Sequence, residues 1–406
     1  MHFKCNGARW LMERMESPTH GEDTPPPSLL VIFFTFLILG FTAFGGPAMV
    51  AYIRKVTVER KQWLNEATFA DGVAFCQIIP GATAMQVAGY VGLKKRGISG
   101  AFMAYSGFAL PAFVLIMVLS AIYVQNQLLP QLLSIFSGLR AFVVAIVAYG
   151  AVSLARLYLK ICRDLFIVIV AAILFGFGVN PIAVVIIAGC VGILLYHQNI
   201  TSNQKIPKRI PTAHLSRVIS LVFLVTIAFG FLFVFWPTLS ELAVSMVRVD
   251  LFAFGGGFAA LPLMYHEVVV AHGWMDGQTF MDGIALGQVT PGPIVITATF
   301  VGYLVGGIAG GIVATIGMFI GSFFLVIALV PYFDHLKRSL IFRHAVNGVL
   351  LSFIGLLASV TVQFFHAIPW NIPLVTLAVG AFIALLVGVE ILWVVLIVVI
   401  IAPFLL

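Results

Sequence analysis

The strongest constraint in this sequence is an internal duplication. Phe44-Gly45-Gly46-Pro47 opens the first copy, and Phe254-Gly255-Gly256-Gly257 opens the second. The markers that follow are Trp63, Phe69, Asp71-Gly72, Gln77 and Pro80-Gly81 in the first copy and, about 211 positions later, Trp274, Phe280, Asp282-Gly283, Gln288 and Pro291-Gly292. A repeat of this kind predicts two similar structural halves. Each half carries polar and helix-breaking residues inside apolar sequence.

The composition indicates that the surrounding solvent is a lipid bilayer. Hydrophobic residues make up 61% of the 406 residues, charged residues only 9%, and the mean hydropathy is +1.11, which is too apolar for a water-soluble domain. Apolar runs of about 17 to 25 residues can cross a bilayer. Such runs, several of them short enough to be tilted pairs or partial spans, are Ala101 to Val124, Leu132 to Leu154, Leu165 to Val179, Ile182 to Tyr196, Val218 to Trp236, Gly307 to Pro331, Ala345 to Phe365, Ile372 to Val389 and Ile391 to Leu406. We therefore expect an all-α, polytopic transmembrane protein.

The formal charge of +7 does not indicate a nucleic-acid partner. The basic residues occur in short loops between apolar runs, where they set the orientation in the membrane. The four cysteines have neither the spacing of a metal site nor that of a disulfide framework, and we expect no metal and no cofactor. Residues 1–27 are too long, polar and acidic for a conventional signal peptide and are expected to form a disordered cytoplasmic tail.

The distribution of basic loops predicts that the two halves have opposite orientations. In the first half the basic loops, expected on the cytoplasmic side, are Arg54 to Lys61, Lys94-Lys95-Arg96 and Arg156 to Arg163. In the second half, His266 to Gly273 and Val305 to Gly311 contain no lysine or arginine. We expect the first of these loops outside, with His266 and Glu267 solvated. The predicted domains are a transmembrane repeat over 28–199, a basic cytoplasmic linker over 200–216, and a second, inverted repeat over 217–406.

The segment from Asn65 to Leu93 is too long to cross the membrane as one straight helix. It would extend about 42 Å, against a hydrocarbon core of roughly 30 Å, and both of its flanks are basic. We predict a re-entrant hairpin with Asn65 as helix N-cap and a break at Pro80-Gly81. Asp276 and Pro291-Gly292 repeat this pattern, and Phe-Gly-Gly forms a second hairpin tip in each half. Five crossings then separate the repeats, and an odd number inverts the second.

Breaks in apolar helices predict a binding site. Unpaired backbone groups in hydrocarbon cost several kcal/mol each, so breaks are tolerated where they line a cavity. A helix that begins after a break directs free N–H groups and its positive dipole end into that cavity, which suits an anion. Inverted repeats with discontinuous helices are typical of alternating-access transporters. The alternative interpretation is that these glycines only permit close helix packing, but four matched breaks favour a site.

The repeated F-G-G, W, F-x-D-G, Q and P-G markers, here at the positions given above, resemble the CHR family of chromate ion transporters in its long, two-domain form. The similarity extends from about Ser28 to the C-terminus. The resemblance implies chromate export through the inner membrane, with sulfate as an isosteric competitor and the proton-motive force as the drive. The copies differ where Gly257 replaces Pro47 and Ile294 replaces Thr83, so the halves need not contribute equally.

A tetrahedral dianion requires N–H and O–H donors and limited positive charge. We expect the substrate to contact residues at the breaks, the glutamines one turn before Pro-Gly, an intramembrane arginine and its counterpart by position. These residues are Phe44, Gly45, Gly46, Gln77, Pro80, Gly81, Arg140, Phe254, Gly255, Gly256, Gln288, Pro291, Gly292 and Asn347. Arg140 could instead be an interfacial anchor. Asp71 and Asp282 could carry the coupling proton or pair with an arginine, and Arg248 could form a structural pair with Asp250.

Three other functions remain open at this point. The same scaffold could transport sulfate or another small anion, or act as a passive anion channel that has no need of a protonatable pair. An intramembrane enzyme is disfavoured because the apolar runs contain no metalloprotease or serine-hydrolase motif. Two-fold assembly is expected only because it is common among oligomers.

Overall fold

The computed structural model describes residues 26–44, 46–125, 130–196, 212–333, 337 and 339–405. Within these residues the regular structure is entirely helical, which confirms the predicted fold class. Gly45, nearly all of the predicted tail 1–27 and most of the predicted linker 200–216 lie outside the described residues, so these predictions remain open. Residues 212–216 of the linker form the start of a helix.

The helices of the first half are α1 (Leu29–Thr42), α2 (Gly46–Arg54), α3 (Glu66–Ile78), α4 (Thr83–Gln125), α5 (Pro130–Tyr158), α6 (Cys162–Gly176) and α7 (Pro181–Leu195). Helix α8 (Thr212–Phe235) connects the halves. Those of the second half are α9 (Pro237–Phe252), α10 (Ala260–Tyr265), α11 (Gly277–Val289), α12 (Thr297–Leu329), α13 (Leu340–Ala367), α14 (Ile372–Val387) and α15 (Ile391–Leu405). Short 3-10 turns, Gly257–Ala259 and Ile294–Ile296, precede α10 and α12.

The predicted helix breaks are present in both halves. Helix α1 ends at Thr42 and α3 ends at Ile78, next to Phe-Gly-Gly and Pro-Gly respectively. In the second half α9 ends at Phe252 and α11 ends at Val289. Helix α1 has 14 residues, or about 21 Å of rise, which is less than the roughly 30 Å of the hydrocarbon core. A helix of this length that begins at the membrane surface would end partway through the bilayer, as the predicted re-entrant hairpins require.

The two predicted N-caps begin equivalent helices. The Asn65 side chain accepts a hydrogen bond from the Thr68 backbone N–H at 2.8 Å at the start of α3. The Asp276 side chain accepts one from the Thr279 N–H at 2.7 Å at the start of α11. Such caps satisfy backbone donors that have no partner in the first helical turn. They fix where each hairpin arm begins.

The long helices α4 and α12 are kinked at equivalent positions. Gly97 has φ +63° in α4, and Gly307 has φ +60° in α12. Each kink separates a short arm, which returns from the Pro-Gly break, from a long apolar limb. Among the described residues, four helical segments are long and apolar enough to cross a membrane: Thr83–Gln125, Leu133–Tyr158, Ile294–Tyr332 and Leu340–Ala367.

Each half is completed by helices of the other. Helix α1 packs along α4, the equivalent α9 packs along α12, and α4 and α12 pack against each other. The last two helices of the first half, α6 and α7, pack on α13 of the second half, while α14 and α15 pack on α5 of the first. The contacts are reciprocal, since the last two helices of each half pack on a helix of the other half.

The expectation of a solvated loop at His266 and Glu267 was wrong. Both residues lie in a π-helical turn, His266–Ala271, that continues α10, and both side chains are buried. An equivalent π-helical turn, Lys55–Arg60, continues α2 in the first half. A helical turn, and not a loop, therefore occupies this position in both halves.

Candidate functional site

The four helix breaks meet through backbone hydrogen bonds that cross between the repeats. The Gly81 N–H donates to the carbonyl oxygen of Ala253 at 2.9 Å, and the Gly292 N–H donates to that of Ala43 at 3.1 Å. Ala43 and Ala253 directly precede the two Phe-Gly-Gly tips. Each Pro-Gly break is thus bonded to the Phe-Gly-Gly segment of the other repeat, and the four breaks form one central region.

Glycine is required at both donor positions. Gly81 has φ +117° and Gly292 has φ +118°, a region that residues with a Cβ rarely adopt. A Cβ on Gly292 would lie 2.8 Å from the Cβ of Ala112, and a Cβ on Gly81 would overlap that of Ser322. The two Pro-Gly breaks therefore share a backbone conformation, and each lies close to a residue of the other repeat.

Two helices of the first repeat begin at this central region, and the 3-10 turns Gly257–Ala259 and Ile294–Ile296 occupy the equivalent positions in the second. Helix α4 starts at Thr83, whose hydroxyl oxygen lies 3.6 Å from the ideal Cβ position of Gly256 in the other repeat. Helix α2 starts at Gly46, directly after the first Phe-Gly-Gly tip. Helix N-termini carry backbone N–H donors without intrahelical partners and the positive end of the dipole. The central region can therefore present neutral donors to an anion.

A second cluster surrounds Asp282, about two turns before the Pro291-Gly292 break. Arg140 on α5 donates from Nε to Oδ1 and from Nη2 to Oδ2 of Asp282, both at 2.7 Å. Tyr123 donates to Asp282 Oδ2 at 2.8 Å, and Arg140 Nη1 donates to Gln278 Oε1 at 2.8 Å. The Asp282 side chain is 0% exposed and that of Arg140 20%. Asp282 therefore neutralises the charge of Arg140, the predicted intramembrane arginine.

Arg140 also lies at some distance from the second Phe-Gly-Gly tip. It precedes Gly150 by ten residues (150 − 140) on α5, or about 15 Å of helix. Gly150 lies against the ring of Phe258, just after that tip. The cluster around Asp282 thus lies to one side of the central region.

The equivalent position in the first repeat is very different. Asp71 is 59% exposed and faces Lys337 Nζ at 3.6 Å, and that lysine is also largely exposed. Gln77 is exposed, whereas its counterpart Gln288 is buried. The duplicated markers therefore occupy an open environment in the first repeat and a closed one in the second.

The remaining predicted residues divide by location. Phe44, Phe254, Gly255 and Gly256 are half-buried at the Phe-Gly-Gly tips, and Pro80 and Pro291 are buried at the Pro-Gly breaks. Asn347 is half-buried on α13, within hydrogen-bonding reach of the Tyr196 hydroxyl at the end of α7. None of the contacts tests ligand binding, so the substrate roles remain predictions.

The structure adds polar residues that the sequence did not single out. Tyr123 and Gln278 complete the Asp282 cluster, and Gln86, Tyr105 and Ser322 are buried beside Gly81. The proposed pair of Arg248 and Asp250 was wrong: Arg248 is exposed, Asp250 is buried, and no ion pair joins these two described residues. Within the described part of the chain, no group of three or more His, Cys, Asp or Glu residues is placed to hold a metal ion.

Comparison with known proteins identifies the family. The sequence model of the family described as "Chromate transporter" matches residues 30–193 and 240–403. The chain is 42% identical to an uncharacterized transporter of Methanocaldococcus jannaschii, over 88% of this chain and 90% of the relative.

Two further relatives carry more specific names. The chain is 30% identical to the chromate transport protein of Cupriavidus metallidurans, over 87% of each chain. It is also 30% identical to a probable chromate transport protein of Synechococcus elongatus, over 85% of this chain and 88% of the relative. No solved structure matches the chain. The two family matches coincide with the two structural repeats, and this multi-pass membrane protein therefore belongs to the chromate transporter family.

Proposed function

We propose that this protein exports chromate across the plasma membrane, holding the anion where the four helix breaks meet. The observation that carries the proposal is the reciprocal bonding of Gly81 to Ala253 and of Gly292 to Ala43, which brings both duplicated motifs to one place. Relatives named as chromate transport proteins support the substrate. The family's description as transporters also agrees with the prediction that the chain is not an enzyme.

The chemistry of the central region suits a tetrahedral dianion that has to be released again. Backbone N–H groups at helix starts such as Thr83 and Gly46 supply donors, and glycines allow an oxyanion to approach the main chain closely. Arg140 is held by Asp282, so the anion meets helix dipoles and neutral donors in place of a free guanidinium. Each dipole end amounts to about half an elementary charge. Several such ends attract a dianion without trapping it.

The difference between the two repeats supports alternating access. In a membrane protein, exposed polar side chains such as Asp71 and Gln77 face water rather than lipid. Their counterparts Asp282 and Gln288 are buried. We assign this structure to a state in which the central region is open along α3 and closed along α11. In the opposite state α3 would close, and the Arg140–Asp282 pair would part.

The charge of the substrate supports the proposed direction. The membrane potential is negative inside, and moving one elementary charge across 100 mV changes the free energy by about 2.3 kcal/mol. A dianion therefore gains about twice this amount when it leaves the cell. The membrane potential, one component of the proton-motive force, therefore favours export, and the pH gradient, its other component, can supply further drive through coupled proton entry.

Everted membrane vesicles test this function. We expect vesicles containing the protein to accumulate chromate when a proton gradient is imposed, and excess sulfate to reduce that uptake. Vesicles from cells without the protein are the control. Equilibration that does not depend on the gradient would indicate a passive channel. Sulfate uptake without chromate uptake would indicate a different anion, and sulfate competition and two-fold assembly remain predictions.

A further inference from the structure

Asp250 is a fully buried carboxylate at the edge of the central region. It lies on α9 four residues before Phe254, and its exposure is 0%. Its Oδ2 accepts a hydrogen bond from the Ser322 backbone N–H at 2.6 Å. Its Oδ1 is buried and has no hydrogen-bond partner among the described residues. Burying an ionised carboxylate without a positive partner is costly. The burial of Asp250 therefore needs a functional explanation.

The surroundings of Asp250 connect it to the Pro80-Gly81 break. The Ser322 hydroxyl is hydrogen-bonded to the Tyr105 hydroxyl at 2.8 Å. Gln86, also 0% exposed, donates from Nε2 to the carbonyl oxygen of Pro80. The ideal Cβ position of Gly81 lies 2.7 Å from Gln86 Nε2 and overlaps Ser322. One polar cluster therefore extends from α9 and α12 to the first Pro-Gly break.

The cluster contains a second unsatisfied oxygen. Gln86 Oε1 is buried and, within the described chain, has no hydrogen-bond partner. A protonated carboxyl group is a donor, whereas an ionised one only accepts. Protonation of Asp250 Oδ1 would turn this unpaired acceptor into a donor within a cluster that holds a further unpaired acceptor, Gln86 Oε1. Hard metal cations take about six oxygen ligands, which is more than this cluster leaves unpaired.

The charged groups around Asp250 do not neutralise it. On α9 itself, Glu241 and Arg248 are exposed. Helix α12 carries no charged residue and one tyrosine, Tyr303, and α10 carries only Tyr265, which packs on Phe280 and Phe364.

The other two neighbouring helices complete this survey. Helix α4 contributes the Tyr105 hydroxyl through Ser322. Helix α8 carries His214 and Arg217 near its start. Among the side chains that the structure describes, which do not include those of residues 212–218, none forms an ion pair with Asp250 at 4.0 Å or less.

We propose that Asp250 is the binding site of the coupling proton, an inference that rests on the proposed transport function. The ionised carboxylate takes up one proton on Oδ1 and becomes a neutral carboxyl; its release regenerates the carboxylate. Ser322 and Gln86 connect Asp250 to the Pro80-Gly81 break. Binding of the proton therefore changes the hydrogen bonding of the segment that contacts the anion. Asp250 takes the role that the sequence analysis considered for Asp71 and Asp282. Asp282 is held by Arg140 and Tyr123, and Asp71 is exposed.

The test compares Asp250→Asn with Glu241→Gln, an equivalent neutralisation at an exposed position of the same helix. The parent and both variants are purified and reconstituted into liposomes. Chromate accumulation driven by a pH gradient and exchange of internal for external chromate are then measured. We expect Asp250→Asn, which resembles the protonated form, to lose gradient-driven accumulation and to retain exchange. Glu241→Gln is expected to retain both.

Three results would overturn the proposal. The first is gradient-driven accumulation by Asp250→Asn at the parental level. The second is loss of exchange together with accumulation in a folded Asp250→Asn protein, which would make Asp250 a structural or substrate residue. The third is accumulation by the parent that follows a sodium gradient instead of a proton gradient. If Asp250→Asn does not fold, Asp250→Glu replaces it, and a pH profile identical to that of the parent would count against the proposal.

A second readout requires no substrate. Infrared difference spectra between acidic and alkaline buffer report the carbonyl stretch of a protonated carboxyl group. We expect the parent spectrum to contain a component of this band that is missing from Asp250→Asn, and identical difference spectra would overturn the proposal. If the parent moves no chromate but shows this band, the substrate assignment fails and the proton site remains.

Discussion

The N–H of Gly81 in the first repeat donates to the carbonyl oxygen of Ala253 in the second, at 2.9 Å. The equivalent bond from Gly292 to Ala43 makes this relationship reciprocal. A carbonyl at the end of a helix has no intrahelical donor. The Pro-Gly break of the other repeat supplies one here. The duplicated motifs are therefore parts of one structure at the interface of the two halves.

The Arg140–Asp282 pair makes a stability prediction. Arg140→Ala leaves the buried Asp282 carboxylate without its counter-charge, and removal of one partner of a buried ion pair typically costs about 3–5 kcal/mol. The control is Lys337→Ala, which removes the partner of the exposed Asp71 and should cost less than about 1 kcal/mol. Denaturant titration in detergent micelles measures both changes. Equal stabilities of the two variants would show that the buried pair is not a stabilising contact.

Tyr123 provides a second, smaller test of the same cluster. Tyr123→Phe removes the hydroxyl that donates to Asp282 Oδ2, and hydrogen bonds to charged groups contribute about 1.5–3 kcal/mol. Tyr90→Phe is the matched control, since the Tyr90 hydroxyl donates to the neutral carbonyl oxygen of Thr68 at 3.2 Å. We expect the larger loss of unfolding free energy for Tyr123→Phe. The reverse order would contradict the assigned role of this hydroxyl.

Alternating access predicts unequal labelling of equivalent positions. In a background without the four native cysteines, Gln77→Cys should react readily with a membrane-impermeant maleimide, and Gln288→Cys should react slowly. Adding Asp282→Asn weakens the pair that closes the second side, and we expect the labelling of Gln288→Cys to increase. Labelling rates measured by mass spectrometry decide the question. If the two positions react equally and Asp282→Asn has no effect, the structure does not represent a one-sided state.

The local features of the fold were predictable from sequence. Asn65 and Asp276 are N-caps because their short side chains reach the backbone N–H groups of the first helical turn. The breaks at Pro80-Gly81 and Pro291-Gly292 follow from the backbone properties of proline and glycine. These features depend on neighbours within a few residues. A search for a duplicated pattern therefore finds them in both halves.

The contacts between the halves were not predictable in the same way. Arg140 and Asp282 are 142 residues apart, and no local pattern specifies that they meet. Asp250 was expected only as a structural partner of Arg248, because it is not among the markers shared by both copies; the equivalent position in the first copy is Gly40 (250 − 210). An ionisable residue in an apolar helix is itself a functional signal. That signal was present in the sequence.

The most direct test of the central claim uses the glycines at the crossing bonds. Gly81→Ala and Gly292→Ala are compared with Gly388→Ala, because all three have positive φ while a Cβ on Gly388 meets nothing within 4 Å. Chromate uptake is measured in everted vesicles with equal amounts of inserted protein.

We expect loss of uptake in Gly81→Ala and Gly292→Ala and normal uptake in Gly388→Ala. We also expect partial recovery when Ala112→Gly is added to Gly292→Ala, since this removes the contact at 2.8 Å. Parental uptake by all three single variants would contradict a substrate site at the meeting point of the four breaks.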